Sequence, residues 1–236
     1  MATLNDYRNE RLKKLTTLKE MGINPYPSHS DRNTKISEIL DNFAELDGKQ
    51  VVIAGRIVAI RSFGKLAFVK IRDYFGEIQL FMKQDETPEG FIGTKQLKLL
   101  DTGDFIEAKG LVGKSQTGEI SLFTNYVKLL TKTLRPMPGR DGFTNKEERY
   151  RRRYVDMNVN PEVRERMVRR SKFWQATRDF MNMHGFIEVN TPVLEHTTGG
   201  ADATPFVTHM DALGEDFYLR ISQELPLKRL LGAGFE

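Results

Sequence analysis

The sequence predicts an α+β fold. A five-stranded closed β-barrel follows two N-terminal helices and is itself followed by the start of a second domain, built on a long helix and an antiparallel hairpin. Three observations carry this. The hydrophobic period changes from helical to two at Val51 and holds to about Leu130. Within that stretch the element order is three strands, a short helix, then two strands. Beyond it, Pro136, Pro138, Gly139 and Gly142 punctuate the chain before a long helical pattern begins.

The first helix is expected over residues 4–21. Leu12, Leu15 and Leu18 recur between charges, and Gly22 stops the pattern. Pro25 and Pro27 force an extended turn. A short second helix follows, with Thr34 as its cap and Ile36, Ile39, Leu40 and Phe43 on one face. Strands are expected at 51–61, 66–72 and 77–82, then a helix at 94–100, then strands at 104–112 and 119–130. Asp73-Tyr74-Phe75-Gly76 and Ser115-Gln116-Thr117-Gly118 are the turns. This is the strand order of an OB-fold barrel, which binds oligonucleotides on one strand face. A long helix starts at Asn160-Pro161, a capping side chain followed by proline at the first helical position, and ends near His184 with Gly185 as its C′ residue. A short strand at 186–189, a hairpin of 205–210 with 217–221, and a helix from Gln223 complete the chain. The expected domains are 1–48 (helical extension), 49–133 (barrel), 134–148 (linker) and 149–236 (second domain).

Composition removes several function classes. The chain has 236 residues, 39% of them hydrophobic, enough to pack one or two domains. Cysteine is absent, which excludes disulfide frameworks, thiolate zinc sites and cysteine nucleophiles. The 4 histidines are dispersed, so no metal site is expected. No run of about 18 apolar residues occurs, so no membrane span is predicted. Met1-Ala2-Thr3-Leu4 lacks the layout of a signal peptide, and a cytoplasmic location is expected. The net charge of +4 is modest, but cations cluster at Arg149, Arg151, Arg152 and Arg153 and again from Arg164 to Lys172. Such a cluster either holds a phosphate backbone or forms a solvated helix face.

Strand phase exposes the first candidate site. Ala67, Val69 and Ile71 point to the core, as do Ile78, Leu80 and Met82. Phe68, Lys70, Arg72, Gln79 and Phe81 then point outward. Aromatic rings on a basic sheet face are stacking platforms for unpaired bases. Gln79 can donate and accept at a base edge, and Glu119 can accept from a base N–H. The alternative is that Phe68 and Phe81 are covered by the N-terminal helices or by a partner domain. Residues 108–115 imitate a phosphate loop, but a turn and a strand follow Lys114 where the mechanism needs a helix. A second candidate site surrounds Gly199-Gly200-Ala201, where two glycines let the backbone approach a ligand. Glu224 either favours its helix N-terminus or binds an ammonium group in the same pocket. His209 reads as a packed or edge residue. Phe173, Trp174, Phe180 and Met181 read as the buried or partner-facing stripe of the long helix.

These pieces resemble the N-terminal portion of a class II lysyl-tRNA synthetase. The resemblance rests on Gly22-Ile23-Asn24-Pro25-Tyr26-Pro27, Leu134-Arg135-Pro136-Met137-Pro138, the run from Arg149 to Asp156, the run from Gly185 to Pro192, Gly199-Gly200-Ala201, and Leu225-Pro226-Leu227-Lys228-Arg229-Leu230, in that order. It implies that the barrel binds the tRNA anticodon. Phe68 would stack on a base, Gln79 and Glu119 would read the central uridine, and Arg56 would be a nearby cation. The helix and strand from Arg166 to Pro192 would be motif 1, the homodimer interface. Residues 149–236 would open an antiparallel-sheet catalytic domain in which Gly200 and Glu224 hold the α-amino group of lysine. The implied reaction is ATP- and Mg2+-dependent activation of lysine and its transfer to tRNA(Lys).

The resemblance assigns no catalytic or metal-binding residue to this sequence. Motifs 2 and 3 are expected beyond residue 236, so the piece alone is expected to be inactive. Thr204 and Ser222-Gln223 depart from the family's usual residues. Two other readings remain open: an aspartyl- or asparaginyl-tRNA synthetase, and a non-enzymatic single-stranded nucleic-acid-binding protein.

Overall fold

The computed structural model describes residues 3–139 and 142–235. Met1, Ala2, Arg140, Asp141 and Glu236 lie outside the described residues. With them go the first residues of the signal-peptide reading, part of the expected linker and the last residue of the expected second domain. The chain forms two compact units, Met1–Pro161 and Glu162–Glu236.

Helix α1, Leu4–Glu20, has both ends closed by its own sequence. At the start, the Asp6 N–H donates to Thr3 Oγ1 while the Thr3 N–H donates to the Asp6 carboxylate (2.7 Å). At the end, Gly22 takes φ +74° and the Ile23 N–H returns to the Leu18 carbonyl (3.0 Å), with both apolar side chains buried in the core. The expected second helix is broken at Asn42 into α2, Ile36–Asp41, and α3, Phe43–Leu46. Its N-cap is Lys35, whose N–H is taken by Glu38, and not Thr34. The Thr34 N–H is engaged instead by the Val52 carbonyl on the neighbouring strand.

The first unit is built on β1 (Gln50–Phe63), β2 (Leu66–Arg72), β3 (Glu77–Lys83), β4 (Phe105–Lys114), β5 (Ile120–Thr124) and β6 (Val127–Thr131), with a 3₁₀ helix at Thr94–Leu99. This corrects the expected five-stranded closed barrel. The observed sheet has six strands in the order β1-β2-β3-β5-β4-β6, with an additional β1–β4 pairing, and it is mixed because β3 and β5 run parallel. The expected last strand, 119–130, is two strands. Thr124 Oγ1 bonds the Lys109 and Tyr126 carbonyls (both 2.8 Å) and breaks the run. Beyond the break, β6 pairs with β4 and bridges Ile92 through Val127, whereas β5 pairs with β3 and β4. The buried phase shifts there, from Leu122 and Thr124 before the break to Val127 and Leu129 after it. The residues 108–114 lie in β4, so the apparent phosphate loop is a strand.

The phase of β2 and β3 is as the alternation predicts. Ala67, Val69, Ile71, Ile78, Leu80 and Met82 are buried. A charged network ties α1 to this sheet. Lys132, fully buried, donates to Asp101 and to Asp104 (2.7 Å), and Lys14 reaches Asp101 (2.7 Å). Arg11 donates to the Thr102 and Thr133 carbonyls. Burial acts to raise the Asp101 carboxyl, but hydrogen bonds from Lys132 and then Lys14 outweigh it and hold it below the usual carboxylate range.

Two short helices, α4 (Lys146–Arg151) and α5 (Arg153–Val159), close the first unit. Asp156, fully buried, receives Arg149, Arg153 and the Asn160 amide. The Asn160 side chain therefore serves Asp156 at the end of α5.

The long helix α6, Pro161–Met183, ends as expected, with Gly185 at φ +80°. Residues 186–189 form no strand, which corrects that expectation. Apolar, β-branched composition favours extension there, but among the described residues no neighbouring strand pairs with this segment. The second unit instead has three antiparallel strands, β7 (Leu194–Glu195), β8 (Val207–Met210) and β9 (Glu215–Leu219), in the order β7-β9-β8, and a final helix α7, Glu224–Gly232. The apolar stripe of α6 is not buried: Phe173, Trp174, Phe180 and Met181 are all exposed.

Candidate nucleic-acid interface

The outward faces of β1, β2, β3 and β5 carry an aromatic cleft. Register places Phe68 opposite Phe81, Phe81 beside Phe123, and Arg61 opposite Phe68. The rings form a row. Phe63 meets Phe68 with 6.1 Å between centroids, Phe68 meets Phe81 at 5.2 Å, and Phe81 meets Phe123 at 5.1 Å. Phe68 and Phe81 are thus half-buried by each other and are not covered by the N-terminal helices, since they line an open cleft of about 470 Å³.

Three of the four residues expected to meet the anticodon come together here. Phe68, Gln79 and Glu119 line the cleft. Gln79 stands opposite Ser121 on β5, and its Nε2 donates to Ser121 Oγ (3.3 Å), which among the described residues leaves its second Nε2 hydrogen and its Oε1 for a base edge. Ser121 Oγ in turn donates to the Glu119 carbonyl (3.1 Å), which links the two polar residues through one hydroxyl. Glu119 itself is exposed at the mouth, held by a hydrogen bond from its N–H to Ser115 Oγ (3.2 Å) across the turn.

Arg56 lies apart. It pairs across strands with Arg72, at the far end of β2 from Phe68, and lines a separate cleft. The cation beside the rings is Arg61, with Lys114 across the opening. Arg61, Phe63, Lys114 and Phe123 escape a reading of single-strand phase. Arg61 and Phe63 are placed by β1–β2 register, which a bulge between Ile57 and Ala59 alters, and Phe123 and Lys114 by the pairing of β5 with β3 and β4. Gly113 makes room for the row, because a Cβ there would lie 2.9 Å from a Phe123 ring carbon.

In the second unit the two expected amino-acid contacts are adjacent. Gly200 takes φ +83°, and a Cβ on it would meet Glu224 Cβ at 2.8 Å and Glu224 Oε2 at 3.3 Å. Only glycine lets this backbone approach the carboxylate so closely. The Glu224 N–H is taken by Ser222 Oγ (3.1 Å), and its Oε1 accepts from Lys228 (2.6 Å), one helical turn on. An ammonium group on Oε2 would therefore join a lysine already on Oε1. His209 is an exposed edge residue hydrogen-bonded to Asp216 (2.7 Å).

Comparison with known proteins finds two families, one over each part of the chain. A family model described as OB-fold nucleic acid binding domain matches residues 51–130. A second, described as tRNA synthetases class II (D, K and N), matches residues 145–236. The lysine–tRNA ligase of Carboxydothermus hydrogenoformans is 47% identical over 234 residues, covering 99% of this chain and 48% of that protein. The chain belongs to the class II lysyl-tRNA synthetase family. The lysine–tRNA ligases of Pelotomaculum thermopropionicum (45% identical; 99% of this chain, 46% of that protein) and Syntrophomonas wolfei (43%; 99% and 47%) show the same alignment span. The chain spans about half the length of the curated relatives it matches. Within the family, the aromatic cleft falls in the segment matching the nucleic-acid-binding model, and Gly200 and Glu224 fall in the segment matching the class II synthetase model.

Proposed function

We propose that the protein is a lysine–tRNA ligase and that this chain supplies its anticodon-binding domain and the opening of its catalytic domain, with boundaries near residues 49–133 and 149–236. The observation that carries the reading is the convergence of Phe68, Gln79 and Glu119 on one cleft of a basic sheet face. Phe68 stacks on an anticodon base. The carboxylate of Glu119 accepts from the N3–H of the central uridine, and the second Nε2 hydrogen of Gln79 donates to a carbonyl of the same base. Stacking supplies affinity that any base would gain, and the polar pair supplies the choice.

In the second unit, Glu224 and the bare backbone at Gly200 receive the α-amino group of lysine. The exposed row of Phe173, Trp174 and Phe180 on α6 supports a homodimer contact, because a contiguous exposed apolar patch marks an interaction surface. Among the described residues no helix is long and apolar enough to cross a membrane, and we place the protein in the cytoplasm, where its tRNA substrate is.

ATP and Mg2+ are the cofactors of this reaction. Among the described residues no group of three or more His, Cys, Asp or Glu could hold a metal ion. These residues do not fit such a site. What the chain's own residues do is bind and orient: the anticodon on one unit, the amino group of lysine on the other.

Titrating the full chain with a lysine-anticodon stem-loop RNA tests the reading. Phe68→Ala weakens binding about tenfold or more and Gln79→Ala weakens it less. Unchanged affinity in both variants contradicts it.

A further inference from the structure

The outer face of β2 carries a second feature beyond the aromatic cleft. Arg72 follows Phe68 by four residues on the same face, about 13 Å along the strand. Its cross-strand partner is Arg56, so two guanidinium groups stand side by side, an arrangement that costs stability unless something offsets it. They line a cleft of about 260 Å³ with Thr102, Gly103, Pro138 and Asn158.

Among the described residues the charges at this place do not cancel. Glu77 serves both Arg72 (3.4 Å) and Lys70 (3.3 Å). Arg56 is half-buried, its guanidinium carbon lies 4.4 Å from the centroid of the Phe105 ring, and it donates to the Gly103 carbonyl (3.3 Å). Among the described residues Arg56 has no carboxylate partner. Burial, and after it the neighbouring Arg72 charge, push the Arg56 guanidinium below its ordinary value. An anion in the cleft relieves both.

We propose that the Arg56–Arg72 cleft binds one backbone phosphate of the RNA strand whose base occupies the aromatic cleft, and so fixes the register of that strand along β2. The proposal rests on the sheet face being an RNA-binding surface. A fold of this kind accommodates about 4–16 nucleotides, so a strand stacked at Phe68 extends past Arg72. Guanidinium forks suit phosphate oxygens in a two-point contact, and such contacts position a strand without reading its sequence. Lys70, between the two clefts on the same face, makes the path between them cationic.

The test is a titration of the full chain with a lysine-anticodon stem-loop RNA at salt concentrations from about 50 to 200 mM. Arg56→Gln and Arg72→Gln each weaken binding about five- to tenfold and lower the slope of log affinity against log salt by about one. Arg56→Lys keeps the slope and loses part of the affinity, because a point charge replaces the fork. A single neutral methylphosphonate linkage, moved along the loop, reproduces the loss at one position in the natural protein and adds nothing there in Arg56→Gln. Thermal melting of each variant reports folding, and Arg72→Gln supplies the test if Arg56→Gln does not fold.

An unchanged slope in both glutamine variants, with Phe68→Ala still weakening binding, overturns the phosphate contact and leaves the base cleft standing. Unchanged affinity in Phe68→Ala as well overturns the RNA-binding face itself. A third result, in which inorganic phosphate raises the melting temperature of the natural protein but not of Arg56→Gln while the RNA salt slope is the same in both, assigns the cleft to free anions and also overturns the proposal.

Discussion

Phe68 and Phe81 meet edge to face across β2 and β3, with 5.2 Å between ring centroids and 78° between ring planes. Cross-strand register fixes that pair, and Phe123 extends it onto β5. With Phe63 of β1 against Phe68, the platform is built by four strands, and Phe81 supports Phe68. Phe81→Ala removes an aromatic contact of about 1 kcal/mol and is expected to weaken RNA binding by a few-fold, less than Phe68→Ala does. Fluorescence titration of the two variants side by side decides this. A larger loss from Phe81→Ala reverses their roles.

Gly113 is expected to be intolerant of the smallest substitution. The added methyl of Gly113→Ala lies 2.9 Å from a Phe123 ring carbon, so the ring swings and the row of aromatics opens. Weaker RNA binding with a nearly unchanged melting temperature is the expected pair of results. Full-strength binding shows that the position of Phe123 is immaterial.

Gly200→Ala meets both obstacles available to a glycine substitution. The φ of +83° lies in the left-handed region, and the new Cβ falls 2.8 Å from Glu224 Cβ. A cost of about 1–2 kcal/mol is expected from the backbone alone. Chemical denaturation monitored at the second unit measures it, and an unshifted midpoint rules out this close approach.

The Asp101 network makes a pH prediction. Its folded carboxyl is held below the ordinary value, net of burial, by Lys132 and Lys14. Its stabilisation is therefore complete above the unfolded value of about 3.9 and is lost as pH falls through the lower folded value. Asp101→Asn is expected to cost about 2 kcal/mol near neutral pH. The gap between variant and natural protein then closes below about pH 4. Denaturant melts at several pH values check both statements, and a gap independent of pH excludes this carboxylate as its source.

Much of the fold is legible because one strand face is buried. Alternation alone places Ala67, Val69 and Ile71 inside and Phe68 outside, and a slip of one residue would invert them. Helix ends are legible where the terminator is local, as at Gly22 and Gly185. The expectations that fail depend on partners. The break at Thr124 and the parallel β3–β5 pairing follow from which strand lies alongside, and residues 186–189 lack a paired neighbour among the described residues. The site follows the same rule. Phe68 and Gln79 can be read from the phase of one strand. Arg61 and Phe123 enter the cleft only through register across strands, and Arg56 leaves its neighbourhood for the same reason.

Reading of the anticodon by this sheet face falls to Gln79 and Glu119. Its most direct test compares the affinity of the full chain for a lysine-anticodon stem-loop with that for the same loop carrying cytidine in place of the central uridine. A preference for uridine of about tenfold or more is expected, and it disappears in Gln79→Ala. Equal affinity of the natural chain for the two loops contradicts it.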